Sequence, residues 1–150
     1  MRTKVISRIL LILGLVFVLG SAITQVRGQG VVTIHSTGDV SRGKTGSFVL
    51  NMDPAPTQWG GLPVNFSVSG TAIAGVDYVP LVSPVRVQSV PPPPQCMSCR
   101  PRGLGVILVK TLPDPRASFF PQPYSVVVTL EPGFGYAIGE PSSATIMINP

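Results

Sequence analysis

Apolar and polar positions alternate along much of this chain, and the clearest run is residues 64–78, VNFSVSGTAIAGVDY. Val64, Phe66 and Val68 fall on one side and Asn65, Ser67 and Ser69 on the other, the period-two signature of a strand with one buried face. Comparable runs predict strands at 31–35, 47–52, 62–69, 84–90, 105–111, 124–130 and 144–149. Turn-rich connections separate them, which suits an all-β, two-sheet sandwich of the immunoglobulin-like type. A barrel fits the same spacing. The inward positions are Phe48, Leu50, Val64, Phe66, Val68, Val85, Val87, Ile107, Val109, Val126, Val128, Leu130, Ile146 and Ile148. No helical period is sustained outside the first twenty residues.

Those first residues follow a different logic. Arg2, Lys4 and Arg8 precede an unbroken apolar run over 9–20, and small residues follow at Gly20, Ser21 and Ala22. This is the layout of a secretory signal peptide, 1–22, cut after Ala22, with a signal anchor that is never removed as the lesser reading. The apolar run is short of the roughly 20 residues a membrane-crossing helix needs. The expectation is therefore an exported chain with a short linker over 23–30, a single β-sandwich over 31–150 and no transmembrane span once the signal is removed.

Composition supports the β reading and removes one function class. Only 11% of residues are charged, whereas Pro (17) and Gly (16) are dense, as many short strands and tight turns require. The formal net charge of +5 owes much to the signal segment; without it eight basic residues face six acidic ones, a net of about +2. The basic residues are scattered and form no stripe, so nucleic acid is not an expected partner.

An insert over 90–103, VPPPPQCMSCRPRG, interrupts the fourth and fifth predicted strands. Four consecutive prolines lack amide donors, so 91–94 cannot join a sheet and should extend as polyproline II. The segment reads as an exposed, elongated hairpin loop in which Gly103 and Gly105 restore flexibility. It carries Cys96 and Cys99, whose spacing in an exported protein points first to a local disulfide. Free or intermolecular thiols, half of a metal site in a dimer, and redox catalysis remain as lesser readings. The flanking prolines argue against the helix N-terminus that a catalytic thiol needs.

Two segments carry a family resemblance. GTAIAGVDY, 70–78, matches the pattern GTA-x-AG-x-DY, and SVVVTLEPGFGYAIGEPSSATIMI, 125–148, runs from a TVTL-like strand through a Gly-rich turn to an SSATVTI-like last strand. Together they resemble the Calx-beta domain, a Greek-key β-sandwich, over residues 40–148. The resemblance implies calcium at one end of the sandwich, held by acidic residues from several loops. Asp77 of the Asp-Tyr pair and Asp114 stand at two of those positions. Elsewhere the pattern departs: Arg42 stands where a Glu-Gly pair would supply its Glu, Leu112-Pro113-Asp114 keeps one carboxylate of two, and 120–124 is uncharged. Ca²⁺ takes six to eight oxygens, several usually from carboxylates. Asp77 and Asp114 are thus a reduced calcium set at best. The favoured expectation is that they accept loop hydrogen bonds, with Arg42 placed to pair with one of them where the ion would be.

Other chemistry is sparse. His35 is the single histidine and lacks a G-x-S-x-G nucleophile to serve, while Glu131 and Glu140 bracket a Gly-rich turn. An enzyme is not expected. Asn65-Phe66-Ser67 is a formal glycosylation sequon with Asn65 facing outward. Trp59 lies on a loop, where it serves either as an anchor for a partner or as a cap over the core, the cap being favoured. The resulting expectation is a non-catalytic binding or structural module, at the cell surface, in the periplasm or in adhesion, whose partner is a protein or a surface polymer; the alternative is a calcium-binding module using Asp77 and Asp114.

Overall fold

The computed structural model describes residues 29–113 and 122–150. The expected signal peptide, most of the linker and Asp114 lie outside the described residues. Among these residues every regular element is a strand, and no helix is long and apolar enough to cross a membrane. The strands are β1 (Gly30–Ser36), β2 (Val40–Ser41), β3 (Thr45–Asp53), β4 (Leu62–Val64), β5 (Phe66–Ser69), β6 (Val85–Val90), β7 (Arg102–Lys110), β8 (Tyr124–Leu130), β9 (Tyr136–Ile138) and β10 (Ser143–Asn149).

They build two sheets, in the orders β4-β6-β7-β3-β1-β9 and β2-β10-β8-β5. Pairing is antiparallel except where β1 meets β9 and β2 meets β10. All seven expected segments are present, and the expected third strand is divided. Its alternation of buried and exposed residues runs from Leu62 to Phe66 without interruption. At Asn65, however, the backbone leaves one sheet for the other. The Asn65 amide donates to the Tyr136 hydroxyl at 3.0 Å, and its carbonyl accepts from Glu131 N–H at 2.9 Å. The Tyr136 hydroxyl in turn donates to the Glu131 carbonyl at 2.6 Å. Alternation persists because both sheets face the same core, so a strand can change sheets without changing its inward side.

The core lies between the sheets and draws on both: Phe48, Leu50, Val87 and Val109 from the larger, Val126, Val128, Ile146 and Ile148 from the smaller, all buried. Each such side chain contributes about 1.5–3 kcal/mol relative to exposure. Val68 and Val85 are only partly buried against this cluster, while Val32, Ile34, Val40, Met52, Leu62, Tyr78 and Tyr136 join it unforeseen.

The Pro-rich insert is a loop over 91–101 at the tip of the β6–β7 hairpin, with Val90 paired to Arg102. Gly103 and Gly105 do not loosen it. Both are buried within β7, opposite Met52 and Leu50 of β3. A methyl group at Gly103 would come within 2.7 Å of Met52 Cβ, 2.9 Å of Pro56 Cδ and 2.9 Å of Val87 Cγ1. These glycines are spaces that the core fills, and the expectation of flexibility is corrected accordingly.

Gly103→Ala should therefore lower unfolding free energy by about 1–3 kcal/mol, the cost of overpacking. The exposed Ser89, its cross-strand neighbour, should tolerate Ala within about 0.5 kcal/mol. Urea denaturation of both variants checks the contrast.

Candidate functional site

The register fixes two ends of the sandwich. Thr45 pairs with Lys110 at one, and Met52 with Gly103 at the other. The first end gathers four segments that are distant in sequence: the β2–β3 turn with Arg42, the β5–β6 loop with Asp77, the exit from β7 at Thr111 and Leu112, and the start of β8 at Tyr124.

The β5–β6 loop is built by its own motif. Gly70 has φ of 120°, and a methyl group there would meet the Ser125 carbonyl oxygen at 2.2 Å, so glycine is required twice over. Thr71 N–H donates to Ser125 Oγ at 3.1 Å, Ser125 N–H donates to Thr71 Oγ1 at 2.9 Å, and Ala72 N–H donates to the Ser125 carbonyl at 2.9 Å. The chain then turns, and Asp77 closes it. Its Oδ2 accepts from Ile73 N–H at 2.6 Å, and its own N–H donates to the Ile73 carbonyl at 2.8 Å. Leu112 N–H donates to the Asp77 carbonyl at 2.8 Å, which ties the loop to the end of β7.

Asp77 is 0% exposed, so its charge must be met inside the fold. Arg42 Nη2 meets it, 3.2 Å from Oδ1, with the arginine side chain only 9% exposed. The guanidinium also lies over Tyr124, its Cζ 5.3 Å from the ring centroid, a cation–π distance. Arg42 N–H donates to the Asn149 carbonyl at 3.1 Å, fixing the turn that carries it. Thr111 is the other buried polar residue among the described ones; its hydroxyl donates to the Lys44 carbonyl at 2.6 Å and so binds the β2–β3 turn to β7. The expected pairing of Arg42 with a loop carboxylate is thus present, and the carboxylate is Asp77. Tyr78, also buried, has its hydroxyl pKa raised above 10.0, first by burial and then by the adjacent Asp77 charge.

The other end carries a different surface. The β3–β4 loop turns at Gln58–Gly61, closed by Gly61 N–H to the Gln58 carbonyl at 3.2 Å, with Gly60 at φ 82°. That is the geometry of a type II turn with Trp59 at its second position. Arg86 Nη1 donates to the carbonyls of Gly60 and Gly61 at 3.3 and 3.5 Å and holds the turn against β6. Trp59 is 103% exposed. It does not cap the core, and that expectation is corrected: the ring stands in solvent on a turn pinned by its backbone and by Arg86. An open groove of about 910 Å³ lies beside it, lined also by Asp53, Gln58, Gln88, Ser89 and Arg100. Pro54, Pro56 and Pro101 form part of its wall.

Cys96 and Cys99 lie at disulfide distance, Cα atoms 5.4 Å apart, in the loop that flanks this groove. His35 is exposed, with Nδ1 3.3 Å from Asn51 Nδ2. Asn65 is exposed, its side-chain amide donating to the Pro132 carbonyl at 3.5 Å. No group of three or more His, Cys, Asp or Glu side chains gathers among the described residues. The sequence reading missed Thr111, whose hydroxyl donates to the distant Lys44 carbonyl, and Tyr136, whose hydroxyl accepts from the distant Asn65 N–H; no local motif marks such residues. It also missed the groove, for which the lone Trp beside two glycines was the available sign.

No protein-family model matches the chain, and no curated protein matches it in sequence.

Breaking the buried pair should be costly. Arg42→Ala strands a buried carboxylate and should lower stability by about 3–5 kcal/mol. The same change in an Asp77→Asn background should cost far less. A double-mutant cycle by urea denaturation should give a coupling above about 1 kcal/mol; a value near zero would show that the two groups act independently.

Tyr78 yields a pH dependence at the alkaline side. Its folded pKa lies above its unfolded value, so above pH 10 the unfolded chain releases the phenol proton while the folded chain retains it. Stability from this group is complete below pH 10 and declines as pH rises toward the folded value. Urea midpoints measured from pH 9 to 11 should fall less steeply in Tyr78→Phe than in the parent chain.

Proposed function

We propose that this protein is an exported, non-catalytic binding or structural module of the Calx-beta kind, an immunoglobulin-like Greek-key sandwich whose calcium end has become an internal ion pair. The observation that carries this reading is the 3.2 Å contact between Arg42 and Asp77. It joins the β2–β3 turn to the β5–β6 loop, two of the segments that resemble the family's calcium loops. There the guanidinium supplies the positive charge that an ion supplies in a calcium-binding relative. Both oxygens of Asp77 already accept hydrogen bonds, from Ile73 N–H and from Arg42. An entering cation would have to displace one donor and tolerate the guanidinium beside it.

Export is supported by the signal-like first 22 residues and by the Cys96–Cys99 pair, which suits an oxidising compartment. A binding role is supported by the exposed Trp59 on a pinned turn. The context is the cell surface, the periplasm or an adhesion assembly, with a protein or a surface polymer as partner.

Calcium decides between this module and one with a reduced site at Asp77 and Asp114. Calorimetry should show no binding below about 100 µM, because tight sites need a cluster of carboxylates. The melting temperature in 1 mM Ca²⁺ should equal that in EDTA. A ligand present at ten times its dissociation constant stabilises by about 1.4 kcal/mol, which a melting curve resolves. An upward shift in 1 mM Ca²⁺ would overturn the ion-pair reading in favour of the calcium-binding one.

A further inference from the structure

We propose that the groove beside Trp59 is a binding site for a neutral, hydroxyl-rich glycan, with the indole ring as its stacking platform. This deepens the binding-module reading and rests on it. Three observations carry the inference. The ring is fully exposed, although burying an indole would remove about 150–250 Å² from water. Its turn is nevertheless held, by the Gly61-to-Gln58 bond and by Arg86, so the backbone that carries the ring is fixed. Preorganisation of this kind lowers the ordering cost of binding.

The third observation is the chemistry of the groove. Its lining holds one carboxylate, Asp53, and one guanidinium, Arg100, so it carries no net charge. With Arg86 held against the adjoining turn the excess is a single positive charge, too little to mark a site for a polyanion or an acidic peptide. Gln58 and Gln88 each offer both a donor and an acceptor, and Ser89 offers a hydroxyl that does both. Sugar hydroxyls donate and accept together, and such side chains answer both halves. A pyranose with equatorial hydroxyls also presents a face of C–H groups that stacks on an aromatic ring. Polyproline peptides, by contrast, dock in grooves lined with several aromatic rings. Trp59 is the single ring lining this one. Phe134, 90% exposed, stands on the neighbouring β8–β9 turn, where a methyl group at Gly135 would lie 4.0 Å from Gln58 Nε2.

Trp59 is the only tryptophan in the chain, so intrinsic fluorescence reports on this site directly. The signal-free protein is titrated with cellohexaose and with chitohexaose, in EDTA and again in 1 mM Ca²⁺. At least one hexasaccharide should produce a saturable spectral shift, with a midpoint on the order of 0.1–1 mM, the affinity of a single ring and a few hydrogen bonds. Affinity electrophoresis in hydroxyethyl cellulose or glycol chitin should show retardation that Trp59→Ala reduces at least about tenfold. Because the ring packs on nothing, Trp59→Ala should keep the parent melting temperature. Gln88→Ala should weaken retardation several-fold.

The glycan assignment fails if neither sugar changes the spectrum, or if Trp59→Ala is retarded like the parent. It fails equally if the spectrum responds only to the peptide VPPPPQ or to protein concentration, which would name a polyproline segment or a second copy as the occupant. The two proposals separate cleanly. Sugar binding that persists in EDTA survives even if calcium proves to stabilise the fold, and an absence of sugar binding leaves the calcium result untouched.

Discussion

A carboxylate with no access to water must find its counter-charge within the protein, and much of this molecule's architecture at one end follows from that demand. Asp77 is 0% exposed. Its two oxygens bring together an amide from its own loop and a guanidinium from the β2–β3 turn. Its backbone carbonyl brings in the end of β7. Those three elements belong to different parts of both sheets. Fixing them around one residue ties the sandwich end together. The desolvation of a buried pair offsets much of its attraction, so its visible effect is the placement of the loops it joins.

The opposite end meets a different constraint. Four prolines over 91–94 cannot join a sheet, so the β6–β7 hairpin must open there and project a loop. The β3–β4 loop beside it is rich in proline and glycine for the same reason: neither belongs in a central strand, and together they set a sharp turn. What results is a pair of stiff loops with a groove between them. One end of the fold is closed by charge satisfied internally, and the other presents side chains whose hydrogen-bonding capacity faces solvent. Rigid sheets position both, as is usual where binding residues sit on loops.

Much of this was legible in the sequence, and the parts that were not have physical reasons. Alternation located seven strand segments because a period of two survives any detail of pairing. It could not reveal that 62–69 changes sheets at Asn65, since the inward side is the same before and after. On β7 the outward residues Leu104, Val106 and Leu108 are apolar and exposed, so hydropathy alone does not mark the buried face there. The two short strands, Val40–Ser41 and Tyr136–Ile138, were missed because each is held by a parallel partner far along the chain rather than by its own pattern. Gly103 and Gly105 were misread as flexible because sequence does not show that Met52, Pro56 and Val87 occupy the space a side chain would take. Trp59 was misread as a cap for a related reason. Burial is the default for an indole, and the sequence does not show that Arg86 holds its turn with the ring left in solvent. The Arg42–Asp77 pair was legible, because an arginine standing where an acid is expected has a short list of partners.

On the proposed reading, replacing a bound ion by an arginine changes the kind of interaction as well as its source. An ion stabilises a fold in proportion to its concentration over its dissociation constant, so a calcium-closed sandwich is conditional on its surroundings. A guanidinium carried by the chain is present wherever the protein is. It also brings a planar fork and a face that stacks on Tyr124, neither of which a spherical ion offers. The sandwich end then holds one arrangement in calcium-poor and calcium-rich settings alike, and the module gives up a switch for constancy. A fold that needs no ion at one end can present the same groove at the other under both conditions. That is the property expected of a surface receptor for a polymer whose supply does not track calcium.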